Sequence, residues 1–389
     1  MKTIFHIFIR EWKRILSIPA FYVLLLVLPP LVFTFFGIIY QKQYARDLPI
    51  AIWDEDHSAV SRQMTRMLEQ SQSIHIVDQV LNGAELEHKL KKGQIYGAVH
   101  FPKDMEKTIK SNHEVNITLF TNSVAMVASK LIYKDAAKVI IMSGAGVTLQ
   151  KQIKKGTEPQ LAKTLVQPVA LNTRTLYNPS YNYNDYLVPG LITVGLQMAL
   201  IMAAVLLFNY EWKTNTMEEL LTTGKGSAYK IIAGKTLAHL TCSWVNFVLI
   251  IGIVFPLFGL SQPQSNFNFF VLYTLLSIAC IGLGFAVSVL FKDVMMASDI
   301  ALFYTSPAFV FSGFTFPRWA MPWYDQFYAN LMPYTAFLDG FLKTYFMHLS
   351  LRYTYREMAI LGIFIGASFL VTTLVLQLKI NKMQHVKVV

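Results

Sequence analysis

Residues 222–227 read TTGKGS, the nearest approach to a nucleotide-binding motif in this chain. A phosphate loop needs Gly-x-x-x-x-Gly-Lys followed by Ser or Thr, so that backbone N–H groups cradle phosphates and the hydroxyl reaches Mg²⁺. Here Glu219 stands where the first glycine is required, and Gly226 follows Lys225 in place of a hydroxyl residue. The segment reads as a glycine pair at a helix end, and no ATPase chemistry is expected on this chain. His57, His75, His88, His100 and His113 are widely separated, with no His-x-x-x-His or Glu pairing, and read as solvated surface residues. His239 reads as an interface residue at the inner end of an apolar stretch. No metal site and no catalytic residue are expected. Cys242 and Cys280 both lie in apolar stretches and read as small packing residues.

The segment 211–235, EWKTNTMEELLTTGKGSAYKIIAGK, offers interaction rather than catalysis. A helix start is expected at Thr214 to Thr216, with Glu218 and Glu219 in the first turn, where carboxylates favour the helix dipole. Thr216 and Glu219 fit a capping box. A short amphipathic helix here suits insertion into a groove on a soluble partner.

Six uncharged apolar stretches must position that segment: residues 18–40, 187–209, 240–260, 267–291, 300–316 and 358–378. A helix needs roughly 20 residues to cross about 30 Å of hydrocarbon. Residues 300–316 fall short, leaving a tilted, broken or re-entrant element. The first stretch exceeds a signal-peptide core of roughly 7–15 residues and is expected to be retained, with a kink at Pro29-Pro30. Only 15% of residues are charged, against about 25% in average soluble domains. Buried ionisable groups mark ion paths. None lies within these stretches, so an ion-coupled mechanism is disfavoured and the energy for any transport has to come from another subunit.

The net charge of +11 is placed asymmetrically. Lys2, Arg10, Lys13, Arg14, Lys213, Lys225, Lys230, Lys235, Lys292, Lys379, Lys382 and Lys387 fall on one side if the N-terminus is cytoplasmic. Arg318, Lys343, Arg352 and Arg356 fall on the other. That satisfies the positive-inside rule, and nucleic-acid binding is not expected. The first segment, 1–17, reads as an amphipathic helix lying in the cytoplasmic interface. Phe5, Phe8, Ile9, Trp12, Ile15 and Leu16 form its apolar face, with Lys2, His6, Arg10, Lys13 and Arg14 opposite.

Between the first two spans, residues 41–185 are expected to form an α/β domain with a mostly parallel sheet. It opens with a short apolar run ending in acidic turn residues, 48–56. Strands are expected over 74–80, 95–101 and 115–120, and helices over 57–70, over 82–92 with Asn82 as cap and Gly93 as stop, and after Pro102. Residues 123–155 form one long helix or two broken near Gly144 and Gly146. Residues 167–185 lead extended chain back to the bilayer. Residues 186–378 form a five-helix bundle with an inner segment 210–235 and an aromatic, re-entrant outer region 311–345. A basic tail, 379–389, follows. Gly362 and Gly366 give Gly-x-x-x-Gly in the last span, suited to packing within the chain or to a dimer seam. The fold class is thus a polytopic α-helical membrane protein of six spans, arranged one plus five, with an inserted extracytoplasmic α/β domain.

Several strings, in order, resemble the permease subunits of type-2 ABC exporters, in the bacterial branch with a large extracytoplasmic domain after the first span. These are REWKRILSIPAFYVLLLVLPPLVFTFFG (10–37), LPIAIWDEDHSAVS (48–61), LYNPSYNYNDYLVPGLI (176–192), EWKTNTMEELLTT (211–223), SGFTFPRWAMPWYDQ (312–326) and LMPYTAFLDGF (331–341). Asn215 departs from the family's usual Gly and Gly224 from a common Pro. Asn tolerates positive φ, so the turn at 215 is expected to survive. The resemblance implies a homo- or heterodimer of permeases in the bacterial inner membrane, with both termini cytoplasmic. It implies two cytoplasmic ABC ATPase subunits that carry ATP and Mg, and it allows a periplasmic adaptor. It assigns coupling to Glu11, Trp12, Arg14, Glu211, Thr216, Glu218 and Glu219, and the start of the second span to Pro189 and Gly190. The cargo it implies is amphiphilic, drug-like or lipid-linked, as in multidrug efflux. The alternative from another class is a non-transporting membrane scaffold whose outer domain binds an envelope partner.

Overall fold

The computed structural model describes residues 1–40, 46–111, 113–167, 176–178 and 182–388. The chain divides into two compact units, Met1–Gln43 with Thr175–Val389, and Tyr44–Arg174. Most of the connection expected at 167–185 lies outside the described residues.

The inserted unit is a four-stranded sheet of β1 (Leu48–Asp54), β2 (Ile74–Gln79), β3 (Gly97–Phe101) and β4 (Thr118–Thr121), in the order β2-β1-β3-β4. β1 runs parallel to β2 and β3, and β4 is antiparallel to β3. Both faces of the central strand are covered, which is why β1 reads as a continuous apolar run. Ile50 and Ile52 pack with Met64, Leu68 and Ile132 on one face, while Ala51 packs with Val80, Leu86 and Ala98 on the other. Local chemistry fixes the helices. Ser58 and Ser61 cap Ala59–Glu69 reciprocally, and the Asn82 side chain accepts from Glu85 N at 2.9 Å at the head of Gly83–Lys91. Gly93, at φ +67°, follows that helix. Met126–Lys154 is one helix of 29 residues, unbroken at Gly144 and Gly146.

Among its described residues the other unit holds six helical stretches long and apolar enough to cross a membrane: Pro19–Ile39, Asn184–Lys213, Ala228–Leu257, Asn266–Leu290, Val294–Phe311 and Leu351–Met383. Two start well before the apolar stretches of the sequence, because Ile231 and Ile232, and likewise Leu351, add buried or half-buried apolar turns. The last helix, Tyr355–Val388, runs on through the segment set apart as a basic tail. The short fifth stretch is broken at Ser306–Pro307 into Val294–Thr305 and Ala308–Phe311.

The fourth span lies between the second and the last, and two glycines explain how. A Cβ on Gly284 would come 2.6 Å from Ala204 Cβ and from Ile201 O. A Cβ on Gly282 would collide with Ser368 and with the ring of Phe369. Residues two apart on a helix face nearly opposite ways, so each glycine admits a different neighbour. Gly362 and Gly366 have open space where a Cβ would stand. Packing within the chain is therefore not what they serve among the described residues.

The first span carries a π-helical turn, Val23–Val27, just ahead of Pro29 and Pro30. Two consecutive prolines remove two backbone donors. Asn246 of the third span donates its Nδ2 to Leu25 O at 2.7 Å and meets the need this creates.

Candidate functional site: charged groups buried between the N-terminal helix and two spans

The N-terminal helix, Lys2–Ser17, packs along the start of the third span. Its buried residues Ile7, Glu11 and Ile15 recur every four positions and form one stripe. Gly234 permits the crossing, since a Cβ there would lie 2.7 Å from Ile7 Cβ and 2.9 Å from Ile4 O. The residue after this glycine is Lys235, which the crossing delivers to Glu11. Its Nζ lies 2.8 and 2.6 Å from the two Glu11 oxygens.

The same ammonium stands 3.1 Å from Glu211 Oε1. Glu211 occupies the last turn of the second span, where a carboxylate faces the negative end of the helix dipole. Cations supplied by the N-terminal helix answer it. Arg10 donates from Nη1 and Nη2 to the two oxygens, at 2.8 and 3.1 Å, a bidentate pair. Arg14 pairs with Glu211 as well and donates from Nη2 to Thr216 Oγ1 at 3.0 Å. Thr216 Oγ1 in turn donates to Glu211 Oε2 at 2.6 Å. Arg10 Nε reaches Glu219 Oε1 at 3.0 Å at the solvent edge. Glu11, Glu211, Lys235 and His239 are wholly buried. Three carboxylates, Glu11, Glu211 and Glu219, meet three cations, Arg10, Arg14 and Lys235. The group therefore carries no net charge with His239 neutral, and that balance is what lets charges stay buried. Burial pushes the Glu11 carboxyl up, but the Lys235 ammonium outweighs it and holds the group below the usual carboxylate range. Burial lowers Arg10, and Glu211 and Glu219 more than reverse this, so its guanidinium is held charged.

The chain leaves Glu211 through a tight reversal. Asn215 takes φ +56°, with Asn215 N donating to Trp212 O and Thr216 N to Glu211 O at 3.4 and 3.1 Å. This is the 5→2 and 6→1 pairing of a left-handed helix stop, with Asn in the place Gly usually holds. The turn expected at Asn215 is thus present. The capping box is not. Thr216 precedes the helix Met217–Thr223 but makes no side-chain cap, because its hydroxyl is committed to Glu211 and Arg14.

Of the seven residues singled out from the sequence, Glu11, Arg14, Glu211, Thr216 and Glu219 converge in this cluster. Trp12 turns to the third span and donates from Nε1 to Thr241 Oγ1 at 2.8 Å. Glu218 is exposed on Met217–Thr223. Pro189 and Gly190 lie in the second span far from its last turn. The ring of Phe314 fills the space beside Gly190, and Tyr334 donates its hydroxyl to Gly190 O at 2.9 Å.

Three members, Arg10, Lys235 and His239, lie outside those seven. The helical spacing puts Arg10, with Arg14, on a solvated polar face, yet their side chains are only 15% and 11% exposed because Glu211 draws them in. By sequence Lys235 ends a loop and His239 is an interface residue. Both lie inside Ala228–Leu249 without solvent exposure, which corrects the expectation of spans free of buried ionisable groups. The signal was available. Lys235, His239 and Ser243 recur every four residues, the mark of one helix face. The His239 ring stands with Nε2 3.6 Å from Glu11 Oε1, beyond hydrogen-bond range, and packs edge-on against Phe285.

A family model described as ABC-2 family transporter protein matches residues 19–375. Two Escherichia coli K12 proteins named as probable multidrug ABC transporter permeases are similar. YbhS is 22% identical over 335 residues, 85% of each chain, and YbhR is 21% identical over 309 residues, 78% of each. ABC transporter G family member 20 of Dictyostelium discoideum is 24% identical over 196 residues, 49% of this chain and 26% of that one.

Proposed function

The chain belongs to the ABC-2 family of transporter proteins, as a permease, and from that premise we propose that it exports an amphiphilic or hydrophobic compound, drug-like or lipid-linked, on energy from a separate ABC ATPase subunit. The observation that carries the reading is the cluster around Glu211. It fastens the N-terminal helix, the end of the second span and the start of the third into one block, with Met217–Thr223 next in the chain. A push on Glu218 and Glu219 by a closing ATPase would then move spans rather than bend a loop. Packed, hydrogen-bonded elements of this kind transmit displacement because they cannot deform continuously. In this arrangement Glu218 and Glu219 present the contact to the ATPase, and Glu11, Trp12, Arg14, Glu211 and Thr216 behind them carry the coupling. ATP and Mg reside on the partner, and the chain itself is no enzyme.

The charge asymmetry supports cytoplasmic termini in a bacterial inner membrane and an extracytoplasmic position for the α/β unit. The open face at Gly362 and Gly366 suits a second permease copy or close relative. A periplasmic adaptor would dock on the α/β unit. The family match leaves the scaffold alternative without support.

The test uses Glu218→Cys in the full chain, whose two native cysteines are buried. We expect an ABC ATPase chain to co-purify from mild detergent and to cross-link at position 218. Glu211→Gln should lower cargo moved per ATP hydrolysed in vesicles. Recovery of the permease without any ATPase, or cargo movement by the permease alone, would overturn the assignment.

A further inference from the structure

At the other end of the second span from Glu211, the short helices Trp323–Asn330 and Pro333–Phe341 and the first turn of Tyr355–Val388 enclose a cleft of about 350 Å³. That volume lies within the roughly 300–1,000 Å³ typical of small-ligand sites. Its wall combines Arg318, Asp339, Arg356 and Glu357 with the apolar side chains of Met332 and Ile360.

The charges are unequally satisfied. Arg318 pairs with Asp339. Glu357, 92% buried as a side chain, accepts at Oε1 from Lys343 Nζ at 2.8 Å. Its other oxygen, Oε2, is buried with no hydrogen-bond partner among the described residues. A carboxylate oxygen accepts and does not donate, and Glu357 stands in the first turn of Tyr355–Val388. A buried acceptor left unmade is costly, so Oε2 asks for a donor that enters the cleft. Beside it in sequence, Arg356 is exposed and makes no ion pair among the described residues. One wall therefore offers an acceptor oxygen without a partner and a cation without an ion pair on adjacent residues, next to an apolar strip.

The surroundings fix the depth. Trp319 and Trp323 are 84% and 78% exposed, and Tyr324 and Phe327 are exposed with them. Such rings gather where hydrocarbon meets head groups.

We propose that this cleft binds a zwitterionic head group in which a primary ammonium is joined to an anionic phosphate, the ammonium donating to Glu357 Oε2 and the phosphate pairing with Arg356. The apolar strip of Met332 and Ile360 takes the beginning of an attached chain. A quaternary ammonium has no N–H to give and is discriminated against. The inference does not depend on the direction of transport or on the ATPase.

The test is retention of lipid by the full-length protein, read by native mass spectrometry after exchange into nanodiscs. The probes are phosphatidylethanolamine and phosphatidylcholine of identical acyl chains, with soluble phosphoethanolamine added to phosphatidylcholine discs in a separate arm. A preference of about tenfold for the ethanolamine lipid is expected, from one charge-assisted hydrogen bond. Glu357→Gln, which keeps an acceptor for Lys343, should abolish the preference, and Arg356→Gln, at an exposed position, should weaken retention of both lipids. Binding of soluble phosphoethanolamine would locate recognition in the head group alone, and its failure beside retention of the lipid would locate the source in the bilayer. Both support the site. Equal retention of the two lipids by the unaltered chain, or an unchanged preference in both variants, overturns it.

Discussion

The ammonium of Lys235 lies within 2.8 Å of both carboxylate oxygens of Glu11, and neither side chain touches solvent. Only folding brings these positions together, from the N-terminal helix and the third span. Lys235 also reaches Glu211, so among the described residues it is the one cation shared by two buried carboxylates. Arg10 and Arg14 serve Glu211 alone among the two. The arrangement ranks the members by how much each leaves stranded when removed.

Lys235→Met should therefore destabilise more than Glu11→Gln. Loss of the lysine leaves Glu11 facing only His239 at 3.6 Å, whereas loss of the Glu11 charge leaves Lys235 with Glu211. Breaking a buried pair costs about 3–5 kcal/mol, while replacing both partners by apolar groups is often neutral. The double variant Glu11→Leu/Lys235→Met should recover most of the loss. Thermal unfolding of the full chain in mild detergent measures all of these, and additive losses in the double variant would refute the pairing.

Acid should undo the same contact. The Glu11 carboxyl is held below its ordinary value of 4.5, burial pushing it up and the Lys235 ammonium outweighing burial. A depressed carboxyl contributes stability that is present above the unfolded value and lost as pH falls toward the folded one. The stability gap between the unaltered chain and Glu11→Gln should hold at neutral pH and shrink below about pH 4.5. A gap that stays constant through that window rejects Glu11 as an ionised member of the cluster.

What could be read in the sequence follows from the range of the interactions involved. The number of apolar spans, the strand and helix alternation of the inserted unit and the cap at Asn82 depend on neighbours in sequence and are legible there, whereas the turn at Asn215 follows from the family resemblance. The burial of Lys235 is not legible, because a charge ends an apolar run by composition, and only the distant Glu11 and Glu211 make its burial tolerable. The same holds for close packing. Gly362 and Gly366 have the familiar spacing of four yet face open space, while Gly282 and Gly284, two apart, admit two neighbours at once. Glu11, Arg14, Glu211 and Thr216 were reached through family resemblance; their mutual contacts came from the structure.

Gly234→Val should loosen the N-terminal helix without touching a charge. A Cβ at 234 meets Ile7 Cβ at 2.7 Å and the backbone oxygen of Ile4 at 2.9 Å, and backbone cannot rotate away. Overpacking of this kind costs about 1–3 kcal/mol. Hydrogen–deuterium exchange over Lys2–Ser17 should rise strongly in Gly234→Val and less in Gly234→Ala. Unchanged exchange in both would mean that the helix docks through its charges alone.

Asn246 tests the first span. Pro29 has no N–H to offer the carbonyl one turn earlier, and Asn246 Nδ2 fills that need at Leu25 O. Asn246→Leu should cost about 0.5–2 kcal/mol, the span for a hydrogen bond between helices in a membrane. Pro29→Ala restores a backbone donor one turn on from Leu25, after which the amide is redundant. In Pro29→Ala background the second substitution, Asn246→Leu, should therefore cost little, and the two changes should be non-additive by most of the single-variant loss. Strict additivity in the detergent melting series would show that Asn246 serves the third span instead, and that the π-helical turn at Val23–Val27 holds its own carbonyls without help.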